Sequence, residues 1–558
     1  MIQDQLAPLI HQAIVAAQAS GDLPAFEAPE VGAIPVERPK QEGHGDFATP
    51  IAMQLARVAH RAPRQIAEAV VTHLPLDPTG LLASAEVAGA GFINLRLGVP
   101  WLARQVDRVL AAGPHYADPS VGAGLTAQVE FVSANPTGPL TVGHGRGAVI
   151  GDTLSNMLEA GGYQVTREYY FNDGGLQMKN LAESVRVRAR QALGESVEFP
   201  ADLYVGDYIL AIAQDLIARD GPAVVDRDWT VLRDEAVAVI FADIRRTLER
   251  LGVRFDVYFN EMALYDRDRP LNVWQVVEEL RARDLAYDAE GAVWFRATLF
   301  GADKDRVLVR SSGEPTYRLP DIAYHVDKLQ RGFNLAVNVL GADHIAQYPD
   351  ILAAVGALDH DAARVRIVTN QFVTLLRDGE VVKMSTRRAT YVTLDELIDE
   401  VGADAVRYFM INRSPDSQFE FNLNLAKEQS DENPVYYIQY AHARTAGILL
   451  RQAPTYGIAF DPRADVGLLG HPAEVALIGQ ILRLEETLVA GIKRLEPQHL
   501  ATYATELATR FSAFYRDCRV LRPEDMALSQ ARLKLVRATQ TALARALELM
   551  GVRAPEEM

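Results

Sequence analysis

The chain has 558 residues, 49% of them hydrophobic, with 56 basic against 73 acidic side chains and a formal charge of −17, which suits a globular protein of several domains and excludes a disordered one. No apolar run reaches the ~18 residues of a membrane span, and Met1-Ile2-Gln3-Asp4-Gln5 lacks a basic region followed by an apolar one, so a cytoplasmic protein without membrane contact is expected. A single cysteine, Cys518, excludes an internal disulfide or cysteine-based zinc site and reads as a small core residue, while the acidic balance argues against an unassisted grip on nucleic acid.

From Leu6 to Leu97 the pattern is a small α/β module: helical periodicity over Leu6–Ala17, Ala48–Ala59 and Arg64–His73, then strand-like Glu86–Ala88 and Phe92–Leu95. Pro114–Gly124 reads as a linker. Leu125 opens a strand, loop, helix (Gly145–Ala160) and strand (Gln164–Phe171), the signal of a βαβ unit in a parallel sheet. Helical patterns dominate Val205–Leu251 as an insertion, and strands resume at Leu335–Leu340 and Val365–Val368, both ending in polar residues where an open α/β sheet places its ligand crevice. A hairpin follows, Phe372–Leu376 and Val381–Val382 about the turn Asp378-Gly379, whose residues accept positive φ. Beyond Asn433 the chain reads as a helical bundle, interrupted by a Pro/Gly-rich stretch from Pro454 to Pro472.

The most informative stretch is Val129 to Gly147, a buried strand, a polar Asn-Pro-Thr loop and a glycine-led helix start. Glycines admit an anionic ligand close to the backbone, and the free N–H groups and dipole of a helix N-terminus favour negative charge, so the junction is built for phosphate. It fails the dinucleotide fingerprint, because Gly143, Gly145, Gly147 and Gly151 are separated from the strand by a long loop.

Thr141-Val142-Gly143-His144 and the distant Lys383-Met384-Ser385-Thr386-Arg387 resemble the HIGH and KMSK signatures of class I aminoacyl-tRNA synthetases. Further segments, among them Glu168 to Gln177, Pro315 to His325, Leu340 to His344 and Asn433 to Arg444, make nearly the whole chain similar to the arginyl-tRNA synthetase family. The resemblance implies an α/β multidomain protein: a Rossmann-like parallel-sheet catalytic core, an N-terminal α/β module and a C-terminal all-α bundle. The expected segments are 1–113 at the tRNA elbow, 114–371 for catalysis with a helical insertion at about 200–260, 372–432 for the hairpin and KMSK-like loop, and 433–558 for the anticodon.

It also implies an arginine–tRNA ligase. L-Arginine is activated by ATP and Mg²⁺ to arginyl-adenylate and then transferred to the 3′-terminal adenosine of tRNA(Arg), on the 2′-hydroxyl in class I. The carboxylate attacks the α-phosphate and expels pyrophosphate, so the site must align three groups and stabilise added negative charge. In that reading His144 and Lys383 are catalytic, and Thr141, Gly143, His144, Gly145, Lys383, Met384, Ser385 and Arg387 bind ATP; no residue is assigned to a metal. Thr141 stands where the first His is usual and Thr386 where the second Lys is usual, leaving Arg387 or Arg146 to supply the missing cation.

A guanidinium is planar, permanently charged and carries five donors, so its pocket needs carboxylates and carbonyls around a plane. By resemblance Asp321 and Tyr317 hold the arginine side chain, and their spacing puts them on one face if Pro320 begins a helical turn. Glu130 and Asn135 bind the α-amino group or the guanidinium, with Ser133 and His344 nearby. Glu130 in an apolar strand is a buried carboxylate that a cationic ligand would satisfy. For tRNA, Tyr437, Tyr440 and Arg444 are the candidates, since aromatics beside a cation stack on unpaired bases, although Tyr436 and Tyr440 also fit helix packing. Gly43 to Ala48 resembles the family's N-terminal signature. The resemblance implies a monomer with no DNA partner. Two other readings remain open: a class I synthetase for another amino acid, and a non-catalytic tRNA-binding paralogue.

Overall fold

The computed structural model describes residues 1–39, 41, 43–342, 345–382 and 392–558. Its centre is a five-stranded parallel sheet ordered Val365–Asn370, Leu335–Gly341, Thr126–Glu130, Gln164–Phe171, Val257–Asn260. The first of these strands in the chain lies in the middle, with Ala127 and Val129 fully buried. Its successors go to one side up to Val257–Asn260, and the chain then returns to the other side at Leu335. The order therefore reverses between Thr126–Glu130 and Leu335–Gly341, and an open α/β sheet takes its ligand outside the carboxyl ends of the strands at that point.

One face of the sheet is covered by the helix Arg318–Gln330, which with its cap Arg331 supplies Tyr324, Lys328 and Arg331 to Glu168 and Glu130 of the strands beneath it. The other face packs against the helix Val142–Ala160, whose Gly151 lies so close to Phe131 that a Cβ would fall 2.2 Å from its ring. The insertion is helical as expected, with Asp207–Asp220 and Trp229–Arg250 packed on Gly175–Ala192. A small antiparallel sheet, Ala286–Ala289, Ala292–Phe295 and Arg306–Val309, precedes the helix Arg318–Gln330 and is an addition to the elements expected from the sequence. Its turn Glu290-Gly291 has φ of 55° and 74°, the same local demand as Asp378-Gly379, at 52° and 79°.

The hairpin forms as expected, with Arg377 opposite Glu380, and its first strand Val373–Arg377 also pairs in parallel with Phe419–Asn422. Two of the boundary shifts have a plain physical cause or bear on the site. Pro50 separates a short strand Phe47–Thr49, paired with Ile93–Leu95, from a helix that starts only at Ile51; a buried Phe47 and a proline decide this against the helical pattern. The signature helix begins at Val142 rather than Gly145, with Thr141 at its cap.

The C-terminal segment is a bundle of Pro434–Gly447, Pro472–Ile481, Arg483–Arg494, Gln498–Asp517 and Met526–Leu549. Cys518 is buried in it, as expected. The N-terminal module docks on this bundle through a bidentate Arg38–Glu486 pair at 2.7 and 2.9 Å and the Met1 amino group on Glu485.

Candidate active site

The signature loop and the segment that follows the KMSK-like stretch meet in space. Thr141 pairs with Thr393 as an isolated antiparallel bridge, and Leu394 N–H donates to the Leu140 carbonyl at 2.8 Å. Leu394 seats against the first turn of the helix Val142–Ala160, where a Cβ on Gly145 would lie 2.6 Å from it. Gly145 is thus buried and small for packing. Gly143 is exposed, with nothing nearer than Thr141 Oγ1 at 3.7 Å to a Cβ built on it, so the backbone there is open to a ligand. Lys383, Met384, Ser385, Thr386 and Arg387 lie outside the described residues, as does His344.

Thr141 and His144 form one unit. The Thr141 N–H donates to His144 Nδ1 at 3.1 Å, with Thr141 Oγ1 at 3.2 Å from the same nitrogen. An acceptor Nδ1 leaves the proton on Nε2. Burial lowers the imidazole's pKa, so His144 offers a neutral N–H donor, not a cation. Thr141 lacks the charge of a histidine and serves here as the helix cap.

Arg146 is removed from the ATP question. Its side chain is fully buried; Nη1 donates to the carbonyls of Gln371 and Ser417 and Nη2 to that of Ser414, all at 2.9 Å. Burial depresses its pKa to about 10, and its guanidinium lies 5.5 Å over the Phe419 ring. The cation sought at Arg146 is spent on tying the signature helix to the base of the hairpin that leads to residue 383.

Glu130 is not waiting for a ligand. Its Oε2 accepts from Lys328 Nζ at 2.6 Å and its Oε1 from Ser133 Oγ at 3.0 Å. Lys328, itself fully buried, also donates to Asn338 Oδ1 at 2.7 Å, and Asn338 Nδ2 is 2.6 Å from His325 Nε2. His325 Nδ1 lies 2.7 Å from the Asp321 carbonyl, which makes it the donor, and burial with the charge of Lys328 pushes its pKa down to about 3. The expectation that a buried Glu130 demands a cationic ligand is therefore corrected: Lys328, 198 residues away in sequence, answers it.

Asp321 is different. It sits in the first turn of the helix Arg318–Gln330, one turn beyond Tyr317, which occupies the cap; the helix starts at Arg318, ahead of Pro320. Among the described residues the Asp321 carboxylate has no hydrogen bond or ion pair. Burial, then the neighbouring Glu130 and Glu261, push its pKa up to about 8. Glu261, directly after the strand Val257–Asn260, is buried and accepts from Tyr265 Oη at 3.1 Å. It is absent from the residues singled out in the sequence; its position at the carboxyl end of a parallel strand was the available signal. Tyr317 is 73% exposed and does not cover Asp321 in the free chain.

The loop after Glu130 carries strain. Val132 and Ser133 have φ of 67° and 44°, the left-handed region that a β-branched residue rarely enters. Ser133 Oγ accepts from Tyr170 N–H at 3.2 Å while donating to Glu130. Asn135 accepts from Asn172 N–H at 2.9 Å and donates to Gln177 at 3.1 Å, joining this loop to the one after Phe171.

In the bundle, Tyr436 and Tyr440 stack at 6.1 Å and 6°, and Arg444 lies 4.6 Å over Tyr440 and 5.2 Å over Tyr515. Tyr437 lies off this row, donating to Ser512 Oγ at 3.0 Å and packing on the core.

Three family models match the chain: "Arginyl tRNA synthetase N terminal domain" at residues 4–97, "tRNA synthetases class I (R), catalytic domain" at 105–445, and "DALR anticodon binding domain" at 438–558. The arginine–tRNA ligase of Pelodictyon phaeoclathratiforme is 45% identical over 529 residues, 94% of this chain and 96% of that protein. That of Desulfotalea psychrophila is 44% identical over the full length of both. In structure, the Thermus thermophilus arginyl-tRNA synthetase covers 99% of this chain and all of its own with a TM-score of 0.74 at 24% identity, a likeness of fold.

Proposed function

The chain belongs to the arginyl-tRNA synthetases, and from that premise we propose how its own residues divide the work. It is a class I aminoacyl-tRNA ligase that uses ATP to join arginine to tRNA. In our reading Asp321 and Glu261 take the guanidinium, while Glu130, held by Lys328 and Ser133, faces the α-amino group together with Asn135. Tyr317 and His344 complete the pocket. The observation that carries this assignment is the unpartnered Asp321 carboxylate in a cluster of acids at the carboxyl edge of the sheet. A cation with several donors relieves that repulsion, and an apolar side chain does not.

On the phosphate side, Gly143 and the neutral His144 N–H meet the triphosphate at the helix N-terminus, and Lys383 approaches with Met384, Ser385 and Arg387. With Arg146 occupied, Arg387 takes the place of the missing lysine. Mg²⁺ comes as the counterion of ATP, bound by phosphate oxygens and water; among the described residues no three His, Cys, Asp or Glu side chains gather to hold a metal. Segment 433–558 reads the anticodon through Tyr440 and Arg444, segment 1–113 approaches the tRNA elbow, and segments 114–371 and 372–432 carry the chemistry. The enzyme acts as a cytoplasmic monomer without DNA; among the described residues no helix is long and apolar enough to cross a membrane.

Amino-acid-dependent ATP–pyrophosphate exchange across all twenty amino acids, with and without total tRNA, tests the reading. Exchange with arginine alone among them supports it. Exchange with another amino acid, or none while tRNA still binds, overturns it.

A further inference from the structure

Tyr170 belongs to the strand Gln164–Phe171 and lies on the same face as Glu130 and Glu168, beneath the helix Arg318–Gln330. Its ring is fixed between Phe259, stacked at 6.0 Å and 9°, and Tyr324, at 4.5 Å. Its hydroxyl is buried and makes no hydrogen bond of normal geometry, although the Glu261 carboxylate lies close enough to act on it. The neighbouring tyrosines are all satisfied: Tyr324 donates to Glu168 at 2.6 Å, Tyr265 to Glu261 at 3.1 Å, and Tyr348 accepts from Asn338 at 3.2 Å. A buried hydroxyl left without a partner costs stability, and native proteins keep few of them.

What surrounds the hydroxyl explains why it is retained. Burial, together with the carboxylates of Glu261, Asp321 and Glu130, holds its proton firmly, well beyond the ordinary tyrosine range. The hydroxyl can therefore turn its proton towards a carboxylate and keep its lone pairs for a donor that the free protein lacks. A guanidinium brings five N–H donors in one plane. Two carboxylates accept at most four in bidentate fashion, and the remaining N–H needs a neutral acceptor.

Resting on the assignment of Asp321 and Glu261 to the guanidinium, we propose that the Tyr170 hydroxyl is a specificity-determining acceptor for the substrate side chain, taking the guanidinium N–H that the carboxylates leave over. An ammonium has only three donors, which the carboxylates take up by themselves, so Tyr170 favours arginine over lysine-like cations without adding charge.

Tyr170→Phe keeps the ring and removes only the oxygen. In the full-length enzyme we expect a ligand-free Tm equal to or above that of the unaltered protein, an arginine KM raised about tenfold or more, an ATP KM unchanged, and a smaller arginine-induced rise in Tm. Inhibition by lysine should keep its strength, so the arginine-to-lysine preference narrows. An arginine KM within twofold of the original, or a ligand-free Tm that falls by several degrees, assigns Tyr170 to packing and overturns the proposal. Asp321→Asn runs in parallel to separate the two claims. If it raises the arginine KM while Tyr170→Phe does not, only the hydroxyl's role fails; if neither variant moves it, the acidic pocket itself is misassigned and the proposal falls with it.

Discussion

Two ionisable side chains, Arg146 and Asp321, make an instructive pair. Arg146 sits in a closed cage of three backbone carbonyls, whereas Asp321 stands among other acids with no partner among the described residues. Both look functional in sequence, each beside a motif. The protein has tied the first to its own backbone through both Nη nitrogens, leaving only Nε without a partner, and has left the second open, so in our proposal Arg146 builds the site and Asp321 receives what enters it. Glu130 stands between the two, since Lys328 answers its charge while our proposal still turns it towards the α-amino group.

The contrast is sharpest at Asp321 itself. Asp321→Ala should raise the arginine KM by more than a hundredfold, in line with ~3–5 kcal/mol for breaking a buried charge pair on one side, while the ATP KM stays within a few-fold. Steady-state exchange kinetics with each substrate varied would expose an equal loss for both, and the comparison would then collapse.

Arg146→Met should show the opposite profile. Three carbonyls lose their donor, at ~1–3 kcal/mol for each buried group left unsatisfied, so Tm falls by several degrees while arginine binding to the folded fraction is retained. A variant with an unchanged Tm and a specific loss of ATP binding would return Arg146 to the phosphate site.

The bundle offers the same test with smaller stakes. Tyr440→Ala should weaken tRNA binding by ~1–3 kcal/mol, the worth of one base–aromatic stack, at constant Tm. Tyr437→Ala should instead lower Tm, because its hydroxyl is tied to Ser512 and its ring packs on the core. Filter binding of tRNA combined with thermal melting separates the two, and a reversed pattern would make Tyr437 the contact.

The smallest effect is a pH dependence. The Asp321 carboxyl, raised to about 8 in the free protein, must ionise to hold a guanidinium, so arginine binding should tighten about tenfold from pH 7 to pH 9 and release a proton near neutrality. The sign for stability is the reverse: the folded, arginine-free protein holds this proton more tightly than the unfolded chain, and the stability so gained is lost as pH rises from the ordinary carboxylate range through about 8. Calorimetry in buffers of different ionisation heat reads the proton release. Asp321→Asn should abolish it.

Local demands were legible. The Asp378-Gly379 turn and the buried strand before the signature helix follow from requirements within a few residues and stand where the sequence places them, while the helix itself starts at Val142, three residues ahead of the expected Gly145. The small sheet at Ala286–Val309 is equally local, and its Glu290-Gly291 turn carries the same kind of signal in weaker form, a glycine beside a residue less suited to positive φ than aspartate. Glu261 was half legible, by its place after a strand. Lys328 was not, because its helix position gives no hint of a carboxylate on a strand far away in the chain.

The sequence by itself determined the family and the order of its segments, because motifs and periodicity are set by near neighbours and by the chemistry of a few side chains. Only the tertiary structure decided which charged groups are available. A carboxylate with Lys328 beside it and one without are the same letter in a sequence, and so are a guanidinium caged by carbonyls and one free to meet a phosphate. Availability depends on distance and burial, and those arise only when segments hundreds of residues apart are packed against one another.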